Sequence, residues 1–171
     1  MLSTLKTPIE GIILFKQKRF ADARGEFFVT WCLNDYKSFG IMESFRQDNI
    51  SYSKKNVLRG LHFQKNQGQL VWVSLGEIYY VAVDIRSYSA TYKQYFAIKL
   101  NSDNPQQIYV APGFAHGFCV LSEKAIVNYK CTQYYDPKDE GGILWCDPTI
   151  NIQWPITSPI INERDKNFKC I

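Results

Sequence analysis

The sequence predicts an all-β protein in which short strands build a sandwich or a barrel. Eight or more short runs are rich in Val, Ile, Tyr, Phe and Trp, and turn-forming residues separate them. All seven prolines lie between these runs and none lies inside one. Aromatic residues make up 15% of the chain, which favours strands and rigid pockets. Many short strands with regular turns are typical of sandwiches and barrels.

The predicted strands follow one another along the chain with little helical signal between them. In order, they span residues 27–33, 57–64, 69–75, 78–85, 95–100, 107–110, 125–134 and 150–154. Two short helices are predicted, one within residues 33–45 and one within residues 162–168.

Two of the runs alternate in a way that assigns side chains to faces. In the run 78–85, Val81 and Val83 share one face and Ala82 lies on the other. In the run 125–131, Tyr129 shares a face with the apolar residue Val127. We therefore expect Tyr129 to point towards a core or a pocket.

Length, charge and cysteine usage narrow the class of protein. A chain of 171 residues predicts one domain, residues 1–171, with a single sizeable core. The longest apolar run has six residues, from Ile78 to Val83, whereas a membrane helix needs about 18, and the N-terminus lacks a signal-peptide pattern. The five cysteines are scattered, which predicts reduced thiols in a cytoplasmic protein. A net charge of +4 suits an anionic small ligand and is too weak to indicate nucleic acid.

The two histidines are the first candidates for chemistry. His62 and His116 each lie in an apolar run, where a histidine is more often a core residue than a catalyst. Arg59 and His62 would point to opposite faces of a straight strand, but Gly60 can host a bulge that lets both reach one pocket. A cation there needs an anion, either a ligand phosphate or a carboxylate. Two distant histidines exclude a three-His metal site, which favours a metal-free mechanism.

Other polar residues lie in settings that resemble turns or helix caps. Taken singly, each is more typical of a turn than of a functional site. These residues are Asp22 and Arg24, the triplet 47–49, Glu140, and the segment 162–165.

Seven segments that run in order from about residue 20 to residue 165 carry a family resemblance. They are Asp22-Ala-Arg-Gly-x-Phe27, Gln47-Asp-Asn-x-Ser-x-Ser53, Val57-Leu-Arg-Gly-Leu-His-Phe-Gln64, Gly76-Glu-Ile-x-x-Val-Ala-Val-Asp-Ile-Arg86, Pro112-Gly-Phe-Ala-His-Gly-Phe118, Tyr129-Lys-x-Thr132 and Trp145-x-Asp-Pro148. Each segment alone is weakly specific, and the ordered set is highly specific. Together they resemble the dTDP-4-dehydrorhamnose 3,5-epimerase family.

The resemblance implies a fold and an activity. The fold is a cupin-type β jelly roll, or double-stranded β-helix, with short peripheral helices, and it forms a homodimer. A pocket inside the barrel binds a nucleotide diphosphate-sugar with a ketone at C4, and no metal or redox cofactor takes part. The implied activity is that of an isomerase that inverts C3, C5 or both. The ketone acidifies both C–H bonds, so the reaction needs a base, a proton donor on the opposite face and a group that holds the enolate oxygen.

The resemblance also implies residue roles. His62 matches the base, Asp165 its carboxylate partner, and Tyr129 the proton donor. The positions that match substrate-binding residues are Arg24, Gln47, Asn49, Arg59, Gln69, His116, Glu140 and Arg164. Arg24 and Arg59 suit the diphosphate, because guanidinium pairs bidentately with phosphate oxygens.

The chain departs from the family pattern at a few positions. Gln69 stands where the family usually has a Lys close to the reacting ketone, and Val29 stands where it usually has a Glu. Residues 162–165 read Asn-Glu-Arg-Asp instead of Ser-x-Lys-Asp, a milder change. Charged donors bind an enolate oxygen more strongly than neutral ones. We interpret these changes as an altered substrate or an altered choice of carbons rather than a loss of activity.

The sequence leaves three alternatives to a double epimerase. One is an enzyme that inverts only C3 or only C5, or that acts on a 4-keto sugar carried by another nucleotide such as GDP, for example a GDP-heptose. Another is a jelly roll that binds a sugar nucleotide without catalysis. The last is a β-barrel that binds nucleic acid, but the interleaved basic and aromatic residues that it requires are not found on one strand face.

Overall fold

The computed structural model describes residues 2–171 and is built almost entirely of β-strands. The strands are β1 (Ser3–Leu5), β2 (Ile12–Lys16), β3 (Phe20–Asp22), β4 (Gly25–Phe27), β5 (Gln47–Lys54), β6 (Leu58–Gln64), β7 (Gln69–Leu75), β8 (Glu77–Asp84), β9 (Tyr95–Asn101), β10 (Gln106–Val110), β11 (Phe114–Val120), β12 (Lys124–Cys131) and β13 (Glu140–Gly142). The helices are α1 (Leu33–Lys37) and α2 (Glu163–Lys166).

Two antiparallel sheets form the body of the molecule. The six-stranded sheet has the order β1-β2-β10-β7-β12-β5, and the five-stranded sheet has the order β13-β6-β11-β8-β9. Strands β3 and β4 form a separate hairpin. The chain crosses repeatedly from one sheet to the other, which is the topology of a jelly roll. The all-β prediction and the jelly roll with short peripheral helices are confirmed.

Both faces of each sheet are buried near the middle of the molecule. Side chains of both sheets, including Val71 and Ile78, form the core between them. The alternate residues of β8, Val81 and Val83, pack on the outer face beneath Ile150. A third cluster covers the outer face of the six-stranded sheet. The face of Val81 and Val83 is therefore the outer one, and the face of Ala82 lines the interior.

Two of the predicted strands are wrong. The chain leaves the strand conformation after Phe27, and the carbonyl of Thr30 accepts hydrogen bonds from the side chains of Tyr36 and Gln107 instead of from a neighbouring strand. Residues 150–154 form no strand either, although their isoleucines are buried. The Asp147 carboxylate accepts the backbone N–H groups that begin this segment and holds it as a loop against the outer face of the sheet.

The two predicted helices are confirmed, since α1 and α2 lie within the expected segments. Within residues 2–171, no helix is both long and apolar enough to cross a lipid bilayer.

The polar triplet 47–49 is part of a strand and not a turn. It begins β5, in which Gln47 pairs with Cys131 and Asn49 pairs with Tyr129. Alternate side chains of β5 face the interior at a point where the interior holds a cavity instead of apolar core. Polar residues are tolerated in this strand for that reason.

Candidate active site

A cavity of about 430 Å³ lies between the two sheets. This volume falls in the range of small-molecule sites, about 300–1,000 Å³. The walls are formed by side chains of β5, β6, β7, β8, β11 and β12, with residues of the adjoining loops, of β13 and of α2 at the mouth. All but two of the residues predicted for the site line this cavity: Gln47, Asn49, Arg59, His62, Gln69, His116, Tyr129, Glu140 and Arg164.

Asp165 lies directly behind His62. Its side chain is fully buried, and its Oδ1 is 2.8 Å from His62 Nε2. Its Oδ2 accepts the backbone N–H of Gly60 at 3.0 Å. The cap of α2 fixes this position, because Asn162 Oδ1 accepts the Asp165 backbone N–H. Burial alone would raise the pKa of Asp165, but the bonds from His62 and Gly60 outweigh it and lower that pKa, so the carboxylate is charged.

The hydrogen bond to Asp165 sets the tautomer of His62. A carboxylate only accepts, so Nε2 carries the proton and the lone pair resides on Nδ1. The Arg164 guanidinium is 3.1 Å from the same Nε2, but two donors form no hydrogen bond, and Arg164 instead donates to Glu140 Oε2 at 2.6 Å. The Phe168 ring packs edge-on against the imidazole with a centroid distance of 5.7 Å. The ring is therefore held in one orientation with a basic nitrogen available.

Gly60 brings Arg59 and His62 to the same cavity. Its φ is +124°, and the pairing of β6 with β11 shifts register at this point. A Cβ on Gly60 would lie 2.7 Å from Gly117 Cα, so only glycine fits. The irregularity that the sequence suggested is present, and both side chains line the cavity.

Tyr129 faces His62 from the other sheet. It lies on β12, paired with Asn49 on one side and with Val71 on the other. Burial is the main cause that raises the pKa of its phenol, and the nearby Cys131 thiol is the second, so the hydroxyl keeps its proton at neutral pH. A base on one wall and a protonated phenol on the other are the two groups that an inversion at carbon requires.

The remaining polar groups suit an anionic ligand. Arg59 donates from Nε to Ser53 Oγ at 3.1 Å and forms no ion pair within residues 2–171, so the rest of its guanidinium is free. His116 lies opposite His62 in the register of β6 and β11. Burial, and secondarily the proximity of His62, lower the pKa of His116 to about 3, so His116 is neutral at physiological pH. No three His, Cys, Asp or Glu side chains in the described part of the chain are grouped as a metal site requires.

Arg24 and Val29 lie outside this cavity. Arg24 occupies the tip of the β3–β4 hairpin, where its side chain is 90% exposed and pairs with Asp22. Val29 borders a separate, smaller cavity of about 140 Å³ near Tyr36. Neither residue lines the larger cavity of its own chain.

Several lining residues were not predicted from the sequence, and Tyr80, which is 1% exposed, is among the most deeply buried of them. The alternation along β8 contained the signal, since Tyr80 shares the face of Ala82. That face was not recognised as the interior one, because both faces of this strand are apolar. Ser51, Phe63 and Tyr135 also line the cavity without having been predicted.

Comparisons with known proteins agree over nearly the whole chain. The family model described as dTDP-4-dehydrorhamnose 3,5-epimerase matches residues 6–171. The protein of that name from Methanothermobacter thermautotrophicus is 44% identical over 170 residues, which cover 96% of this chain and 92% of the relative.

Solved structures show the same similarity in three dimensions. The dTDP-6-deoxy-D-glucose-3,5-epimerase of Legionella pneumophila, in complex with dTDP-4-keto-L-rhamnose, has a TM-score of 0.96 and 40% identity, covering 99% of this chain and 93% of that one. The dTDP-4-dehydrorhamnose 3,5-epimerase of Bacillus anthracis, with TDP and PPi bound, has a TM-score of 0.97 and 39% identity, with 100% of both chains covered. By sequence and by fold, the chain belongs to the dTDP-4-dehydrorhamnose 3,5-epimerase family of isomerases.

Proposed function

We propose that the chain inverts C3 and C5 of a dTDP-linked 4-keto-6-deoxy sugar. The observation that carries this proposal is the arrangement of His62, backed by Asp165, on one wall of the cavity and Tyr129 on the other. The names of the Legionella and Bacillus relatives support the substrate class.

The proposed reaction is a pair of proton transfers with no change of oxidation state. His62 Nδ1 takes the proton from C3 or C5, and the C–H electron pair moves through the adjacent carbonyl to the C4 oxygen. Asp165 stabilises the imidazolium that forms. The Tyr129 hydroxyl then delivers a proton to the opposite face of the carbon and the ketone returns. Solvent takes the proton from His62 and reprotonates the Tyr129 phenolate, which restores the enzyme.

The nucleotide diphosphate is proposed to bind near the open guanidinium of Arg59. That group has unused donors directed at the cavity, and guanidinium matches phosphate oxygens bidentately. Gln47 and Asn49 lie on β5 of the opposite sheet, and their amides donate and accept hydrogen bonds without adding charge. Screening dTDP, UDP and GDP by thermal shift tests which nucleotide base the site prefers, since the preferred nucleotide raises the unfolding temperature most.

Proton exchange in deuterated water tests the catalytic roles. Incubation with the 4-keto sugar nucleotide, followed by NMR, should show deuterium at both C3 and C5. The variant His62→Asn should lose about 10²- to 10⁴-fold in exchange rate, because general-base catalysis contributes about that much. Its affinity for dTDP should remain. Full exchange in His62→Asn would refute the role of His62, and lost turnover with intact binding excludes a purely binding jelly roll.

A single-carbon epimerase is the second candidate, and Gln69 favours it. Gln69 lines the cavity without a charge, and its amide already donates to Gln67 Oε1 at 2.9 Å. When the enolate oxygen is held more weakly, the barrier to breaking both C–H bonds rises. The less acidic of the two bonds then reacts too slowly for its carbon to be inverted. Deuterium at only one carbon after prolonged incubation identifies this candidate.

We further propose that the protein acts as a homodimer in which Arg24 serves the partner's cavity. The β3–β4 hairpin projects from the body and exposes Phe20 and Phe27 at 51% and 66%. Such apolar side chains on a protruding hairpin are typical of an interface. Arg24 lies at the tip of this hairpin, is 90% exposed and does not line the cavity of its own chain.

Mixing two inactive variants tests this arrangement. Arg24→Ala and His62→Asn, unfolded together and refolded, should recover about a quarter of the wild-type activity. Half of the random dimers are then mixed, and each mixed dimer has one intact site. Each variant refolded alone is the control. No recovery in the mixture, together with a monomer in analytical ultracentrifugation, contradicts the proposal.

We also propose that residues 1–171 form one domain. The protein is proposed to act in the cytoplasm and not to bind nucleic acid. The three apolar clusters share strands of the same two sheets, which supports one folding unit. All five cysteines are free, which supports a reducing compartment. Limited proteolysis tests the first point, because a single domain yields no stable fragment.

A further inference from the structure

The Tyr80 hydroxyl is buried in the cavity wall without a hydrogen-bond partner. Tyr80 is 1% exposed, and within residues 2–171 only three buried side-chain polar atoms have no partner: Gln17 Oε1, Ser51 Oγ and the Tyr80 hydroxyl. Buried hydroxyls in folded proteins are almost always hydrogen-bonded, because an unsatisfied one is costly. An unpaired group of this kind in a ligand cavity indicates that the ligand supplies the partner.

Tyr80 forms part of the cavity wall beside His116. It extends from β8 of the five-stranded sheet, and its ring stacks on His116 with a centroid distance of 6.1 Å and an interplanar angle of 22°. His116 is in turn the register partner of His62. Gln69 and its register partner Cys131 line the same cavity from the opposite sheet. Tyr80 therefore belongs to the wall that carries His62 and His116, opposite the wall that carries Gln69.

The Tyr80 hydroxyl is a neutral donor that nothing else in the cavity engages. Burial, and then the Cys131 thiol, raise the pKa of Tyr80 far above neutrality, so its proton is retained. Among the other donors, Arg164 already bonds to Glu140 and Gln69 to Gln67, whereas the Ser51 hydroxyl is unpaired like that of Tyr80. A donor fixed in a cavity and unused in the free protein fits a charge that develops only during the reaction.

We propose that Tyr80 is a catalytic residue whose hydroxyl donates a hydrogen bond to the C4 oxygen of the sugar, as ketone and then as enolate. Tyr80 and Gln69 together form a neutral oxyanion site. The proton stays on Tyr80 throughout, so this role is distinct from that of Tyr129. The inference rests on the proposed function, because it assigns a residue to the enolate which that function requires.

The variant Tyr80→Phe tests the proposal, because it removes the hydroxyl and keeps the ring on His116. One oxygen serves the enolates towards C3 and towards C5, so deuterium exchange at both carbons should slow by the same factor, about 10²-fold. Affinity for dTDP, which has no ketone, should be unchanged. The midpoint of urea unfolding should not fall, because no hydrogen bond is lost in the free protein.

Tyr36→Phe is the matched control. Tyr36 is also 1% exposed, but its hydroxyl bonds to Gln107 and accepts from Gln17 at 3.1 Å, and it does not line the cavity that holds His62. We expect this variant to lower the unfolding midpoint and to leave exchange at both carbons intact.

The outcomes separate this inference from the function on which it rests. If Tyr80→Phe exchanges both carbons at the wild-type rate, slows only one, weakens dTDP binding or lowers the unfolding midpoint, the Tyr80 proposal is wrong. If the wild-type protein exchanges neither carbon, the proposed function itself fails. Exchange in the wild type that His62→Asn abolishes and Tyr80→Phe leaves unchanged overturns the role of Tyr80 alone.

Discussion

At the scale of single residues, the geometry around His62 depends on Asp165. The carboxylate uses one oxygen for His62 Nε2 and the other for the Gly60 N–H. It therefore joins the imidazole to the irregular backbone that positions it. An amide in its place keeps the shape and loses the charge.

Replacing Asp165 by Asn should reduce exchange at C3 and C5 by about 10²- to 10⁴-fold. The amide does not stabilise the imidazolium as a carboxylate does, and it no longer fixes the proton on Nε2. Exchange rates and dTDP affinity should be measured together, and the affinity should be retained. Asp147→Asn is the control, since this buried carboxylate binds the backbone of Thr149 and Ile150 away from the cavity. Equal rate losses in the two variants would contradict the role of Asp165.

Replacing Gln69 by Lys should accelerate deprotonation, by up to about tenfold. A charged donor is roughly twice as strong as a neutral one, and it would lie on the wall that faces Tyr80. The measurement is the rate of deuterium exchange at saturating substrate. Gln67→Lys is the comparison, since it places the same charge nearby on a loop. A slower rate in Gln69→Lys would show that the cavity is adapted to neutral donors alone.

The residue roles could be predicted only as far as the family motifs extended. The motifs supplied His62 and Asp165, which no periodicity connects, because 103 residues separate them. Tyr80 occupies a position that no matching motif specified. Its role follows from an unpaired hydroxyl, and hydrogen bonding is a property of the folded chain.

At the scale of elements, the irregularity in β6 decides which side chains reach the cavity. Gly60 packs against β11 so closely that an added Cβ would be 2.7 Å from Gly117 Cα and 2.9 Å from the His116 carbonyl oxygen. The strand therefore has no room for any other residue here.

The variant Gly60→Ala should lower the free energy of unfolding by about 2–4 kcal/mol, from the clash and the positive φ together. Urea denaturation measures the change. Gly40→Ala is the matched control, because Gly40 also has a positive φ, +88°, but an added Cβ meets nothing within 4 Å. It should cost only about 1–2 kcal/mol, the backbone penalty alone. Equal losses in the two variants would show that close packing at Gly60 contributes nothing.

Most of the strands that the sequence predicted correctly have partners on both sides, such as β7, β8 and β11; the edge strand β9 was also predicted, and β2, which has two partners, was not. In β7, β8 and β11 the β-propensity of the residues and the burial of their side chains both favour the strand conformation. The segment 150–154 has similar composition, but Asp147 takes its first N–H groups and the apolar side chains cover a sheet from outside. Composition does not distinguish a strand from an apolar loop that lies on a sheet.

At the scale of the whole molecule, His116 makes the fold sensitive to acid. Its pKa is about 3 in the folded protein against 6.5 for an ordinary histidine. Above about pH 6.5 the ring is neutral in both the folded and the unfolded protein, and His116 takes nothing from the free energy of unfolding. Between pH 6.5 and about 3 the unfolded chain binds a proton that the folded chain does not, so stability falls as the pH falls.

Unfolding in urea at pH 7, 6, 5 and 4 should therefore show a decreasing free energy, with His116 contributing at most about 1.4 kcal/mol per pH unit. His116→Gln should flatten this decrease. The lowered pKa of Asp165 contributes in a different window, since its stabilisation is lost only as the pH falls below its ordinary value of 3.8. An unchanged slope in His116→Gln above pH 4 would contradict this origin of the acid sensitivity.

The two histidines of the chain are neighbours on β6 and β11, and both line the cavity. Since the sequence has no others, the imidazole C–H signals in a proton NMR spectrum of this protein, Hε1 and Hδ2 of each ring, come from two residues only, and both residues line the same cavity. A molecule that enters the cavity shifts the signals of both residues, whereas one that binds elsewhere on the surface leaves their chemical shifts unchanged. The polypeptide thus carries its own spectroscopic reporter of occupancy, without a label or an engineered probe.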